Sequence, residues 1–478
     1  MHLGGAFRWC IFRARRLSTQ QTLAPLAVSL LMPASVAAPD LLADLIARAQ
    51  RAGADAADAM LVESAGLAAT RRLGKLEKIE RAEGTDLGLR VFVGQRQALV
   101  STGDLSSASL ERLIANALAI ARAVPEDRYA GLAAADEVAR ELPELDLDDR
   151  QEPAAEILAE RAAAAEDAAL AEPGITNSEG AEASWSRSRA TLVASNGFAG
   201  QSARSSHNLS AAVIAGADGK MERDYDFATV VRVRDLPDPG ELGRRAAERA
   251  RRRLNPRKVR SQALPVVFEP RVAGSIVRHL ASAIAGPAVA RGTTFLKDRL
   301  GQRVFAPAVT ILEDPLRADG LRSRSFDAEG IAATPRRLID QGVLTTWLLD
   351  CGSARQLGLE TTGHAARGVS SPPSPAPSNA YVEAGKVSVS DLISDIKQGV
   401  YIIEMLGSGI NYITGDYSRG AAGFWIENGT LAWPVSEITI AGNLSAMFQQ
   451  LTPADDLEFR YGIDAPTLRI DGMTVAGQ

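Results

Sequence analysis

The stretch Gly407-Ser-Gly-Ile-Asn-Tyr-Ile-Thr-Gly-Asp-Tyr-Ser-Arg-Gly-Ala-Ala-Gly-Phe-Trp-Ile-Glu-Asn-Gly429 decides how the second half of this chain folds. It ends on Asn428-Gly429, a strong short-range hairpin signal. Around it, Val400–Leu406, Gly423–Glu427 and Thr430–Ile440 read as adjacent strands, the last two joined at that turn. The glycines let the backbone approach another chain closely. Tyr417, Phe424 and Trp425 supply large apolar surface, and Asp416 and Arg419 put charge between them. Two readings follow. One is docking of an extended peptide by strand addition, in which main-chain hydrogen bonds give affinity. The other is a tight β-corner with a core tryptophan.

Working outward, Leu264-Pro-Val-Val-Phe268 reads as a buried strand leading into a helix over Arg271–Ala285. Leu338–Leu349 holds a hairpin around Gln341-Gly342, and Leu468–Ile470 is the last strand. Ser370–Ser378 carries four prolines, which remove backbone donors, so it is expected to form neither helix nor ladder. It is an ordered-loop or lid candidate.

The first half mixes long helices with antiparallel sheet. Leu41, Leu42, Leu45, Ile46 and Ala49 recur at helical spacing after Pro39-Asp40. Leu87–Val93 is a strand, Gly94-Gln95 a turn and Arg96–Ser101 the return. Asp104 or Ser106 caps a helix whose stripe is Leu110, Leu113, Ile114, Ala117, Leu118 and Ala121. Further helices are expected over Glu152–Ala171 and Glu241–Leu254, and Asn196-Gly197 marks a hairpin. The class is α+β, with a helix-rich N-terminal domain over 40–260 and a strand-rich domain over 261–478. No repeat of 20–50 residues points to a solenoid.

Residues 1–39 are an extension with two readings. Arg13, Arg15 and Arg16 precede an apolar run, Leu23–Leu31, and Ala34-Ser-Val-Ala-Ala38 looks like a cleavage site. Alternatively, Met32 is the true start.

Composition narrows the function. The chain has 478 residues, 46% hydrophobic and 23% charged, with a formal net charge of −5. That balance does not favour nucleic acid as a partner. Apart from the extension, no apolar run approaches a membrane span of about 20 residues. The two cysteines, Cys10 and Cys351, are too few for a disulfide framework and fit a reducing, cytoplasmic setting. Nine Lys or Arg residues lie between Arg244 and Arg260. They read as a solvated helix face or as a patch for an anionic partner.

Self-sufficient catalytic motifs are missing. There is no GxSxG elbow. Gly219-Lys220 is followed by Met221, so there is no phosphate loop, and Tyr412 stands where a third glycine after Gly407 and Gly409 would complete a dinucleotide loop. The four histidines, His2, His207, His279 and His364, never pair at helical spacing, although a catalytic zinc normally takes three protein ligands. His279 reads as a structural or surface residue. His364 sits in a loop between Gly363 and Gly368 and is the better candidate for a direct role. Asp146, Asp148 and Asp149, and likewise Asp455, Asp456 and Glu458, lack the spacing of a calcium loop.

Five blocks carry a resemblance: Gly88-Leu-Arg-Val-Phe-Val-Gly94, Val289-Ala-Arg-Gly-Thr-Thr-Phe-Leu-Lys-Asp298, Thr345-Thr-Trp-Leu-Leu-Asp350, Gly415–Gly429, and Glu437-Ile-Thr-Ile-Ala-Gly-Asn443. From about Asp40 to Gly477 the chain resembles the TldD/PmbA family, and within it the PmbA (TldE) branch. The resemblance implies a bent, barrel-like antiparallel β domain in the C-terminal half. It implies pairing with a TldD-type subunit to enclose a chamber that cleaves small or unfolded peptides; a homodimer is a further possibility. It implies that zinc sits in the TldD-type partner, held by HExxxH and a cysteine. An older label for the family is modulator of DNA gyrase.

The chain departs from the active pattern. Anchored on Gly292-Thr293, the metal-binding segment here reads Val277-Arg-His-Leu-Ala-Ser282. Val277 and Ser282 stand at the histidine positions and Arg278 at the glutamate position, with His279 out of register. No cysteine lies in the last hundred residues. The expectation is therefore a subunit with no catalytic residue and no cofactor of its own, in which Tyr417, Arg419, Phe424, Trp425 and His364 are the candidates for holding peptide or partner. A regulatory binding protein without proteolysis is the alternative, and a stand-alone hydrolase around His364 and Asp416 a third.

Overall fold

A computed structural model describes residues 38–477. The leader-like run, Met32 and Cys10 lie outside the described residues. In the N-terminal half the chain runs α1 (Ala38–Arg51), β1 (Ala56–Arg72), β2 (Lys75–Val93), β3 (Arg96–Thr102), α2 (Ser107–Ala123), α3 (Ala155–Leu170), β4 (Ile175–Ala194), β5 (Ala199–Ala215), β6 (Glu222–Val230) and α4 (Pro239–Arg252). The strands form one antiparallel sheet in the order β3-β2-β1-β4-β5-β6. The helices start within a few residues of their expected positions, α3 at Ala155 and α4 at Pro239. Ser106 accepts a hydrogen bond from the Ser109 N–H at the head of α2, and Asp238 does the same for the Glu241 N–H at the head of α4. Leu42, Leu45, Ile46 and Ala49 of α1 bury against Leu110, Leu113, Ile114 and Ala117 of α2 and the sheet. A second cluster joins Ala162, Ala165 and Ala169 of α3 to Leu242, Ala246 and Ala250 of α4. Alanine and Gly243 let these two helices pack closely.

The strands are longer than the apolar pattern suggested. Only Leu87–Val93 shows buried residues in β2, yet the strand begins at Lys75. Residues 75–83 are exposed on both faces, so they carry no hydrophobic alternation to read. The turn before them, Leu73-Gly74, has positive φ at both residues, an arrangement usually signalled by Asn-Gly.

The C-terminal half runs β7 (Gln262–Phe268), α5 (Pro270–Ala283), α6 (Gly286–Ala290), β8 (Ile311–Glu313), β9 (Arg336–Asp340), β10 (Val343–Leu344), α7 (Cys351–Leu357), β11 (Ala365–Ala366), β12 (Ser374–Pro375), β13 (Ala380–Val382), α8 (Val389–Ser394), β14 (Gln398–Ile410), β15 (Asp416–Glu427), β16 (Thr430–Asn443), α9 (Leu444–Gln449), β17 (Leu451–Pro453), β18 (Ile463–Asp464) and β19 (Leu468–Ala476). β16-β15-β14-β7-β19 are neighbours in that order, and β16 also pairs with β19 at Thr439↔Ala476 and Ile440↔Val475, which closes a barrel. Only β14 and β7 run parallel within it. α5 buries Val272, Ile276, Val277 and Leu280 in the same core as Val266, Phe268, Val400, Ile440 and Ile470.

Two expectations need correction. The proline-rich segment does enter a ladder, because Ser374–Pro375 pairs with Ala365–Ala366. The pairing is two residues long and avoids the missing proline donor; the Ala376 N–H bonds the His364 carbonyl instead. The basic run is not simply a solvated face either. Arg245 and Arg249 bind the two oxygens of buried Asp226, Arg253 reaches Asp224 and Glu404, and Arg257 lies over the Trp433 ring. These cations fasten α4 to β6 and to the barrel.

Candidate functional site

Val277–Ser282, the segment expected to hold a metal motif in the active pattern, lies on α5, whose N-terminus is set by Pro270 and whose apolar stripe faces the barrel. That packing gives each residue its environment. Val277 is fully buried in the core. Arg278 and Ser282, on the opposite side of the helix, are exposed, and the Ser282 hydroxyl donates to the Arg278 carbonyl at 3.0 Å. His279 is buried. Its Nδ1 lies 3.0 Å from the Tyr412 hydroxyl, and its Nε2 has no hydrogen-bond partner in the protein.

The other wall is the end of the β14–β15 hairpin. Tyr412 stands in the connection, Tyr417 packs edge-on to His279 with centroids 5.7 Å apart, and Arg419 donates from Nε to the Leu406 carbonyl. Leu406–Gly409 are exposed where the ladder shifts register between Leu406 and Gly409. The Phe295 N–H bonds the Tyr412 carbonyl at 2.9 Å and ties the hairpin end to a cavity of about 350 Å³ lined by Thr294, Lys297, Arg299, Gln302 and Ile413 among others.

The structure thus brings Arg278, His279, Tyr412, Tyr417 and Arg419 together. His279 and Tyr412 were not singled out as partners because they lie 133 positions apart. Within the candidate set, burial changes the roles. Tyr417, Phe424 and Trp425 are core residues, exposed by 2%, 7% and 5%. Trp425 stacks on Trp433 at 5.4 Å and Phe424 lies under Arg252. Tyr417 and Trp425 pack in the barrel core, while Phe424 points to the outer face of β15 and is covered by Arg252 of α4; none offers free surface to a peptide, and the β-corner reading describes them. His364 is also buried, with Nε2 2.6 Å from a Glu313 oxygen and Nδ1 2.7 Å from the Thr362 hydroxyl. It is a strut between β8 and the 361–366 loop. Asp416 bonds Thr414 and Asn443 within its own hairpin, so the pairing of His364 with Asp416 does not form.

Burial first, and then the charges of Arg419 and Arg278, push the His279 imidazole from 6.5 down to about 4. A depressed histidine is neutral in the fold and must be forced to charge. Its contribution to stability is therefore complete above about pH 6.5 and is lost as pH falls toward 4. At one site this amounts to at most about 3 kcal/mol. Urea midpoints should fall over that window in the wild type and fall less in His279→Gln. Parallel curves for the two proteins would refute the assignment.

The sequence was compared with known proteins. Three family profiles match, described as PmbA/TldA metallopeptidase domain 1 over residues 57–121, central domain over 140–254 and C-terminal domain over 261–477. The chain is 38% identical over 426 residues to metalloprotease PmbA of Escherichia coli O157:H7, covering 89% of this chain and 93% of that protein. It is 34% identical over 432 residues to a PmbA homolog of Haemophilus influenzae, covering 90% and 94%. Its fold matches a Bacteroides thetaiotaomicron crystal structure named as a candidate modulator of DNA gyrase, with TM-score 0.83, 27% identity, and 92% and 98% of the two chains covered. TldE from Thermococcus kodakarensis shares the fold at TM-score 0.82 and 20% identity, over 91% and 100%. With a closed β-barrel, matching profiles across most of its length and 38% identity to metalloprotease PmbA, the chain belongs to the PmbA/TldD metallopeptidase family, in its PmbA (TldE) branch.

Proposed function

We propose that this chain is the non-catalytic, chamber-forming and peptide-holding subunit of a TldD–TldE type zinc metalloprotease, one that degrades or matures small or unfolded peptides in the cytoplasm. Zinc would sit in the TldD-type partner. The observation that carries this reading is the donor set on α5. Val277 offers no ligand and is packed into the core, Arg278 is a cation, and the Ser282 hydroxyl is engaged by its own helix. A lone imidazole between Arg278 and Arg419 is a poor place for a second cation. Among the described residues no three of His, Cys, Asp and Glu converge as metal ligands. These residues do not fit a catalytic zinc, which needs about three such donors and an open position. For holding peptide, the exposed Leu406–Gly409 backbone beside Arg419 provides main-chain groups and a charge at the mouth of the site.

The test is cleavage of an unfolded reporter peptide by the purified chain, alone and mixed with a TldD-type subunit, with zinc measured in both. The expected result is background cleavage and no stoichiometric zinc for the chain alone, and cleavage abolished by chelator in the mixture. Chelator-sensitive cleavage by the chain alone would overturn the reading. The regulatory alternative rests on the basic run, whose Arg245, Arg249 and Arg253 are already held by Asp226, Asp224 and Glu404.

A further inference from the structure

Four arginines converge where the two halves of the chain meet, and no carboxylate pairs with them. Arg204 of β5 donates both terminal nitrogens across to the C-terminal half, to the Leu321 and Ser323 carbonyls. That clamp holds a stretch in which burial alternates. Ser323 and Ser325 are buried, and Arg322 and Arg324 share the other side. Arg324 donates from Nη2 to the Ala376 carbonyl at 2.9 Å, and its buried Nε has no partner. Arg278 reaches the same place from α5. A β-carbon at Gly274 would sit 2.6 Å from the Ile463 carbonyl oxygen and 3.5 Å from Arg278 Nη1, and one at Gly462 would sit 3.0 Å from Arg322 Cγ. Arg278 and Arg322 therefore flank the Gly462-Ile463 backbone.

Among the described residues, none of the four forms an ion pair. Elsewhere this chain gives its half-buried arginines a carboxylate: Arg245 and Arg249 share Asp226, and Arg253 and Arg271 share Asp224. The acids nearest the four are occupied. Asp464 accepts from the Arg460 and Tyr461 N–H groups, Glu313 is held by His364 and the Ser378 N–H, and Asp327 accepts from three backbone N–H groups. Burial lowers the affinity of all four guanidinium groups for their protons, and repulsion from neighbouring arginines adds to it at Arg204 and Arg322; Arg204 is pushed down to about 10. All four stay charged at neutral pH. Yet Arg278 and Arg322 are exposed. Cations that are both desolvated and accessible line a recess, and a recess lined by one sign of charge focuses its field on an incoming anion.

We propose that Arg278, Arg322 and Arg324, braced by Arg204, bind a carboxylate of the peptide that this chain holds, which makes acidic peptides its preferred class. The choice of a peptide rests on the peptide-holding role proposed above. Arg278 stands with Arg419 beside His279, and Arg419 adjoins the exposed Leu406–Gly409 backbone, so the recess and the strand-pairing groups belong to one surface. A carboxylate takes two parallel N–H bonds from one guanidinium and relieves the repulsion among its neighbours. An acidic side chain and a C-terminal carboxylate present the same group.

Two unstructured peptides of equal length, one carrying glutamates and the other glutamines, test it, each with a free and an amidated C-terminus. By fluorescence anisotropy, the full-length chain is expected to bind the glutamate peptide about tenfold more tightly than the glutamine peptide. Loss of affinity on amidation instead would assign the recess to the terminal carboxylate and equally support it. Arg278→Gln and Arg322→Gln should each remove most of the preference, and Arg322→Lys should keep part of it. Neither position holds an ion pair, so urea midpoints should stay at the wild-type value. Arg112→Gln, at an exposed position on α2, should leave binding unchanged. Equal affinity for all four peptides would overturn the proposal, and so would a preference that survives both glutamine substitutions. With a TldD-type subunit added, cleavage of the glutamate and glutamine peptides at equal KM would overturn the arginine recess and leave the subunit reading standing. No cleavage, with the binding preference intact, would remove the subunit reading and leave the recess.

Discussion

Asp58→Ala is expected to destabilise this protein by about 3–5 kcal/mol, the cost of leaving buried charge uncompensated. Asp58 lies opposite Arg90 in the β1–β2 register and is 2% exposed. Its Oδ2 accepts from Arg90 Nε and Nη2 at 2.7 and 2.5 Å, and its Oδ1 accepts from Arg367 Nη2 at 2.6 Å. Arg367 belongs to the C-terminal half, so one carboxylate holds two guanidinium groups and two halves of the chain. Without it, Arg90 keeps only Glu329 at 3.8 Å, and Arg367, whose Nε and Nη1 already lack partners, keeps none of its bonds. Burial by itself would push the Asp58 carboxyl up. The charges of Arg367 and Arg90 and their hydrogen bonds outweigh it and hold the group below its ordinary 3.8. A depressed carboxyl stabilises the fold above its unfolded value and loses that contribution as pH falls below it. The wild type should therefore lose stability below about pH 4 more steeply than Asp58→Asn, in which this titration is absent. A urea midpoint for Asp58→Ala within experimental error of wild type would sink the account.

The second large effect is Gly423→Ala. Gly423 lies at a register shift in the β15–β16 ladder and beside another in β14–β15. A methyl group there would overlap the Tyr401 carbonyl oxygen and come within 2.9 Å of the Ile402 Cα. These are backbone atoms of a paired strand inside a closed barrel, so no side chain can rotate away. The cost of such overpacking is about 3 kcal/mol or more. The strain falls on the hairpin whose far end presents Tyr412, Tyr417 and Arg419. The expected outcome is a lowered unfolding midpoint together with altered near-ultraviolet dichroism from the stacked Trp425–Trp433 pair. Gly407→Ala is the control: its Cβ would meet nothing within 4 Å, though its φ of +76° makes it mildly unfavourable. Equal midpoints for the two variants would mean that Gly423 is not held by close approach.

Much of the architecture was legible where burial imposes a period. The α1 and α2 stripes, the cap at Ser106 and the Asn428-Gly429 turn each appear in the structure at or within a few residues of their expected positions. Legibility failed where a strand buries little. The first half of β2 and the Leu73-Gly74 turn have no apolar alternation and no Asn-Gly, and the hairpin exists because β1 supplies its partner. It failed again for the aromatic side chains of the barrel. Tyr417, Phe424 and Trp425 have the composition of a docking surface and of a core alike, and burial alone distinguishes the two.

The candidate site divides in the same way. That Val277 supplies no zinc ligand is chemistry written in its residue type, since no folding can give an aliphatic side chain a lone pair for zinc. That much the sequence determined by itself, together with the α+β class and the family. Which residues surround the candidate residues was decided only by tertiary structure. His279 of α5 meets Tyr412 at the end of the barrel's β14–β15 hairpin, and His364 is bound to Glu313 of β8 in a separate five-stranded sheet, because tertiary packing brings distant segments within hydrogen-bond range. Local pattern encodes what one element buries; it does not encode which element it is buried against.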